Sequence, residues 1–259
     1  MRYVFCDMDG TLLDDEKHIP EDFYELMDKF EDKDVVFGIG SGRQYETLRR
    51  EFPGHADKML FISDNGSIVH FRGECLWVEE ISEDVIRRTV ELCRSNGRYA
   101  VLCGEKSAYV EDVKEDFLEG ARLYYKNLRI VDDLYESMEE DRICKISVYD
   151  SVDSEKYTYP ILKELSDSLQ VSVSGLNWID MMRIGVNKGM AVSRLKEKYG
   201  IDEKDCIAFG DYMNDYEMMQ ECYYSYAMEN ATPELKKVCR FRAPSNNDRG
   251  VVKVLSEIL

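Results

Sequence analysis

Apolar positions run unbroken from Tyr3 to Cys6 and stop at Asp7, the mark of a buried strand over residues 2–9. Between Pro20 and Lys33, Phe23, Leu26, Met27 and Phe30 recur at helical spacing, and Pro20 suits a first helical turn. The runs over 35–43 and 58–66 read as two further buried strands, each closing in a glycine-containing turn. A short helix over 44–52 lies between them. Strand and helix therefore alternate through the first quarter of the chain.

Near residue 80 the pattern changes. Residues 82–97 read as a helix with Ser82 as N-cap and Gly97 beyond its end. Residues 98–113 read as two strands around Gly104, and 142–150 as a strand in which Ile146 and Val148 alternate with polar neighbours. Residues 160–175 read as a helix running into a strand, and 176–185 as one more strand, a meander-like α+β arrangement. The opening alternation then returns: a helix over 187–200 closed by Gly200, a strand over 205–211 ending in acid, and a helix over 213–222. A strand over 223–229 and helices over 232–239 and 250–259 follow. The two ends thus read as halves of one α/β domain, 1–80 and 183–259, interrupted by a different domain over 81–182.

Composition narrows the function. With 52 acidic against 34 basic side chains the net charge is −18, which disfavours nucleic acid and anionic membrane surfaces as partners. An anionic substrate must then be drawn by a local site or a bound cation. No apolar run reaches the length of a membrane span, and the N-terminus does not read as a signal peptide. The eight cysteines form no CxxC pair and read as free thiols of a cytoplasmic protein. The three histidines are scattered, which argues against a histidine-rich metal site.

The chemistry lies at the strand ends. Asp7 and Asp9 follow the first strand, and Asp211 and Asp215 follow the strand over 205–211. In open α/β sheets ligands sit outside the carboxyl ends of strands, and carboxylates meeting there call for a divalent cation, Mg²⁺ by donor type. Taken alone, "DMDG" reads as an Asp-rich turn before Gly10, and it is the second acidic pair at a second strand end that weighs against that reading. Ser41, between glycines in "GIGSGR", offers a hydroxyl and free N–H groups to a phosphoryl oxygen. Lys188 opens a helix, the end that disfavours a cation; taken alone it reads as a solvated surface lysine, and the placement makes sense otherwise if it faces an anion.

The ordered set "DMDGT", "SGR", Lys188 and "GDYMND" resembles the haloacid dehalogenase superfamily of phosphohydrolases. With "FISDNGSIV" and "AMENATPELKKVC" it is similar to the Cof-like branch, which carries a large α/β cap inserted after the third core strand. The resemblance covers about 1–80 and 183–259; in the interrupting region only the general architecture matches. It implies a Rossmann-like doubly wound parallel-sheet core with an inserted α+β cap that sets substrate specificity. It further implies Asp7 as nucleophile and Mg²⁺ ligand, forming an aspartyl phosphate. Asp9 becomes the acid that protonates the leaving alcohol and then activates water, with a metal-binding main-chain carbonyl. By the same resemblance Ser41, with Gly10 and Gly42 beside it, holds the phosphoryl group, and Lys188 neutralises charge on Asp7 and phosphate. Asp211 and Asp215 bind Mg²⁺, and Asn65 and Asn214 face substrate and phosphate. The acid role requires Asp9 to be protonated when the leaving group departs, which a raised pKa near other carboxylates and bound phosphate would allow.

The implied reaction is Mg²⁺-dependent hydrolysis of small phosphorylated metabolites, sugar phosphates first. A phosphomutase would use the same aspartyl phosphate. A phospho-switch would use a similar acidic site but has no use for a general acid such as Asp9. Trp178, Asp180 and Met181 either face the site or belong to a half-buried strand of the inserted domain's sheet.

Overall fold

A computed structural model describes residues 2–30, 32–111 and 115–258. The predicted elements over 20–33, 98–113 and 250–259 touch Glu31, positions 112–113 and Leu259, which lie outside the described residues. The strands, in chain order, are β1 (Arg2–Asp7), β2 (Val35–Gly40), β3 (Leu60–Ser63), β4 (Ile68–Phe71), β5 (Glu74–Val78), β6 (Tyr99–Gly104) and β7 (Ala108–Glu111). They continue with β8 (Leu128–Val131), β9 (Ile143–Tyr149), β10 (Leu169–Gly175), β11 (Trp178–Arg183), β12 (Cys206–Gly210), β13 (Tyr224–Met228) and β14 (Phe241–Ala243). The chain forms two compact units: residues 1–43, 48–76 and 187–259, and residues 44–47 with 77–186.

The first unit is built on an eight-stranded sheet in the order β14-β13-β12-β1-β2-β3-β4-β5. Pairing is parallel from β14 through β3 and antiparallel between β3 and β4. Counted along the chain, its six parallel strands run 3-2-1-4-5-6, the doubly wound Rossmann order. The chain leaves β1 toward β2 on one side and returns through the helix Lys188–Tyr199 to β12 on the other. The crevice beyond the ends of β1 and β12 is therefore the switch point where such sheets bind ligands. Val4, Phe5, Ile39, Ile62, Ala208 and Phe209 are wholly buried, as expected of parallel strands covered on both faces.

The second unit holds a six-stranded sheet, β10-β11-β9-β6-β7-β8, antiparallel except for β7 with β8. The expected alternation in β9 is present. Ile146 and Val148 pack with Ile179 and Met181 on one face, while Ser147 on the other accepts a hydrogen bond from Tyr125 at 2.8 Å. Trp178 packs among Phe117, Tyr125 and Tyr149. Met181 is fully buried in this unit's core, and Asp180 accepts from Ser147 at 2.6 Å. These three residues belong to the sheet.

Several elements escaped the pattern: β4, β5, β8, β14 and the helix Glu115–Tyr124. The strands are three to five residues long and lie at or beside sheet edges, where too few positions repeat to register a period. β4 turns into β5 through Arg72 and Gly73, both at positive φ. Ser82 stands at the expected N-cap position, yet its side chain accepts no capping hydrogen bond there. Gly200 closes the helix Lys188–Tyr199 at φ 63°, as its sequence position implies.

Candidate active site

Asp7 is the last residue of β1 and lies in register with Gly40 of β2. The helix Lys188–Tyr199 begins close by. Asn187 caps it, its Oδ1 accepting from the Met190 N–H at 2.7 Å. Gly66 (φ 107°) lets the β3 loop reach this start, since a Cβ there would overlap the Asn187 carbonyl. Lys188, in the helix's first position, is completely buried. Its Nζ donates to Asp7 Oδ1 at 2.5 Å and to Asp215 Oδ1 at 2.7 Å. A buried ammonium is tolerated because two carboxylates meet it.

Asp211 follows β12 and is fixed by Thr11, whose Oγ1 donates to its Oδ1 at 3.0 Å. The Asp211 and Tyr212 N–H groups donate to Asp215 Oδ2 at 3.0 and 3.2 Å, so the loop after β12 wraps around that fully buried carboxylate. Gly10 adopts φ 78° directly against Asp211: a Cβ there would lie 2.5 Å from Asp211 Oδ2. Its carbonyl accepts from Asn230 Nδ2 at 2.7 Å.

Asp7, Asp211 and Asp215 each offer an oxygen within 4.8 Å of the others. Three carboxylates around one ammonium leave an excess of negative charge in a poorly solvated place. Burial and the neighbouring Asp215 push Asp7 up to about 8, against the pull of Lys188. Burial and Asp215 likewise push Asp211 up to about 6, against the Thr11 hydroxyl. Burial alone would lower Lys188, but Asp215 and Asp7 outweigh it and hold the ammonium above its ordinary range. An all-oxygen donor set with uncompensated charge fits a hard divalent cation.

Asp9 stands apart from this trio. Arg43 grips both its oxygens, Nε to Oδ2 at 2.8 Å and Nη2 to Oδ1 at 2.7 Å, and Lys17 Nζ donates to Oδ1 at 2.9 Å. Burial would raise its pKa, but Arg43 and Lys17 outweigh burial and hold it below the usual carboxylate value. Its nearest partners in the structure are thus cations, not the other carboxylates.

Ser41 is buried just past β2. Its N–H donates to the Ile62 carbonyl at 2.9 Å, and its Oγ accepts from the Arg43 N–H at 3.2 Å. The Asn65 N–H donates to the Ser41 carbonyl at 2.9 Å, and Asn65 Oδ1 accepts from Asn214 Nδ2 at 3.3 Å. A Cβ on Gly42 would lie 3.1 Å from Asn65 Nδ2. Asn65 itself takes a left-handed conformation at φ 53°, which asparagine tolerates better than most residues. The structure thus joins Asp7, Lys188, Asp211 and Asp215 in one cluster, with Gly10 packed against Asp211. A second group gathers Ser41, Gly42, Asn65 and Asn214, and Asp9 is tied to it through Arg43.

Four residues of this network were assigned no role from sequence. Thr11 and Arg43 sit inside the motifs "DMDGT" and "GSGR", and Asn230 inside "AMENAT", so position pointed to them without naming a partner. Lys17 carried no signal.

The profile of the haloacid dehalogenase-like hydrolase family matches residues 4–255. The chain is similar to a 5-amino-6-(5-phospho-D-ribitylamino)uracil phosphatase, YbjI, of Escherichia coli (strain K12). Identity is 31% over 263 residues, covering 100% of this chain and 96% of that protein. It is 25% identical to the phosphatase YitU of Bacillus subtilis (strain 168), named for the same compound, over 98% of this chain and 96% of that protein. A crystal structure of a protein from Eubacterium rectale superposes with a TM-score of 0.91 at 26% identity, covering 100% of this chain and 99% of that one.

Proposed function

The chain belongs to the haloacid dehalogenase-like hydrolases and is a phosphoric monoester hydrolase acting on small phosphorylated compounds, and from that premise we propose a Mg²⁺-dependent phosphatase working through an aspartyl phosphate on Asp7, with sugar phosphates and phosphorylated sugar alcohols as its first substrates. The observation that carries the reading is the buried Lys188, which binds Asp7 and Asp215 together at the switch point of the sheet. The similarity to two phosphatases named for a ribityl phosphate supports the polyol end of the substrate class.

In this reading a carboxylate oxygen of Asp7 attacks phosphorus, and the bond from phosphorus to the leaving oxygen breaks. Asp9 gives the departing alcohol its proton. Water then attacks the same phosphorus, Asp9 takes the water's proton, and the bond to Asp7 breaks to release inorganic phosphate and free Asp7. The ionised Asp9 held by Arg43 and Lys17 is the form suited to the second step. For the first it has to take up a proton, which a phosphate dianion beside it favours.

Lys188 lowers the repulsion between an anionic nucleophile and a dianionic substrate. Ser41 Oγ offers its hydrogen to a phosphoryl oxygen, while one of its two lone pairs accepts from the Arg43 N–H. Asp7, Asp211 and Asp215, with the main-chain carbonyl of Asp9, would hold Mg²⁺. Bound there, the ion supplies positive charge to the phosphoryl oxygens and to Asp7.

Choice of substrate is assigned to the inserted unit, residues 77–186, because the core residues named here recognise only phosphate. No helix among the described residues is long and apolar enough to cross a membrane. All eight cysteines are free, in keeping with the cytoplasm as the proposed compartment. The test is phosphate release from sugar phosphates, sugar-alcohol phosphates, nucleotides and an aryl phosphate, with Mg²⁺ and with EDTA. Mg²⁺-dependent release favouring the polyol phosphates is expected. A folded protein that releases phosphate from none of them overturns the reading.

A further inference from the structure

Arg43 joins the loops that follow three adjacent parallel strands. Its guanidinium takes both oxygens of Asp9, beyond β1. Its N–H donates to Ser41 Oγ, beyond β2, and its carbonyl accepts from the Asp64 N–H at 3.0 Å, beyond β3. Only the first tie is made by the side chain. The guanidinium is largely shielded, and Glu51 Oε1 lies 3.6 Å from its Nη1, which steadies the fork from the far side. A two-pronged contact fixes the plane of a carboxylate as well as its position, which a lysine ammonium cannot do. Lys17, the other cation on Asp9, is more than half exposed and makes one contact, so it adds charge without fixing orientation.

We propose that Arg43 is a positioning residue for the reaction: its side chain sets the orientation from which Asp9 delivers a proton to the leaving alcohol. The inference rests on the acid role proposed for Asp9. It separates Arg43 from a phosphate-binding arginine by a consequence of leaving-group chemistry. An alkyl alcohol leaves poorly without a proton, whereas a nitrophenol leaves well without one. A lost phosphate contact would slow both esters alike, since they carry the same phosphate. A misplaced acid slows only the alkyl ester.

The experiment compares kcat/KM, which reports events through the first irreversible step, for an alkyl sugar phosphate and for p-nitrophenyl phosphate. The variants are Arg43→Ala and Arg43→Lys, each checked for its thermal midpoint. Truncating Arg43 leaves both main-chain ties in place. In Arg43→Ala the alkyl ester is expected to fall by about 100-fold, within the range of general acid catalysis, and the aryl ester by less than about threefold. Arg43→Lys keeps the charge but not the fork and is expected to lose about tenfold on the alkyl ester alone, which carries the test should the alanine variant not fold. Equal losses on both esters in Arg43→Lys, or no loss on either, overturn the inference while leaving the phosphatase reading intact. Absence of turnover by the wild-type protein on every ester overturns both.

Discussion

Lys188 and Asp7, 181 positions apart in sequence, are joined by a hydrogen bond of 2.5 Å, with the lysine wholly buried. The same ammonium reaches Asp215 at 2.7 Å. One cation thus holds the ends of two chain segments, one at β1 and one after β12, and its removal leaves two buried carboxylates facing each other.

Replacing Lys188 by Met is therefore expected to destabilise the fold by about 3–5 kcal/mol, the usual cost of removing one partner of a buried ion pair. Calorimetry of the purified variant measures it. A loss under about 1 kcal/mol would mean that the carboxylates find water or protons at little cost.

Asp7→Asn keeps shape and volume and removes the nucleophile. Phosphate release is expected to drop on the order of 10⁴-fold or more, with the circular dichroism spectrum unchanged. Turnover near the wild-type rate in that variant would exclude the aspartyl phosphate.

Removing divalent cations with EDTA is expected to abolish phosphate release, and Mg²⁺ to restore it. Asp211→Asn, which withdraws one of three charged oxygens, is expected to raise the half-saturating Mg²⁺ concentration at least about tenfold. Activity that survives EDTA in a metal-free preparation would contradict the cation's role.

Gly10→Ala places a methyl group against Asp211 Oδ2 and forces a side chain into a left-handed backbone at φ 78°. The backbone term alone costs about 1–2 kcal/mol, and the displaced Asp211 is expected to weaken Mg²⁺ binding as well. Thermal melts with and without Mg²⁺ separate the two effects. A wild-type Mg²⁺-induced shift in the variant would show that Asp211 had not moved.

Asp150 provides a pH test within the second unit. Burial would raise its pKa, but the Thr158 hydroxyl, the Val152 and Asp153 N–H groups and Arg98 outweigh it and hold it below the usual value. A carboxyl depressed in the fold contributes stability above its unfolded pKa of about 4 and loses it as pH falls through the folded value. The midpoint difference between wild type and Asp150→Asn is expected to be constant near neutrality and to shrink below about pH 4. A difference independent of pH down to about 2 would show that the hydrogen bonds, not the charge, account for it.

What the sequence by itself determined is what depends on neighbours along the chain. The buried run ending at Asp7, the helical spacing of Phe23, Leu26, Met27 and Phe30, and the glycine closing the helix at 200 are local patterns, and each element formed where its pattern lay. The order of the motifs also placed the candidate residues at strand ends, since loop chemistry follows directly on buried runs. Short edge strands such as β4 and β14 were not legible, because three or four residues cannot display a period. The tertiary structure alone decided which charges meet. Lys188 read as a cation at the unfavourable end of a helix, and only the fold showed it buried between two carboxylates. Asp9 read as one acid among several. Only the fold showed it gripped by Arg43 and Lys17, which hold its carboxyl below the usual value. The physical reason is one of range. Backbone periodicity is set over a few residues, whereas the field at a carboxylate is set by whatever lies within a few ångströms, and parallel crossovers bring those groups from far along the chain.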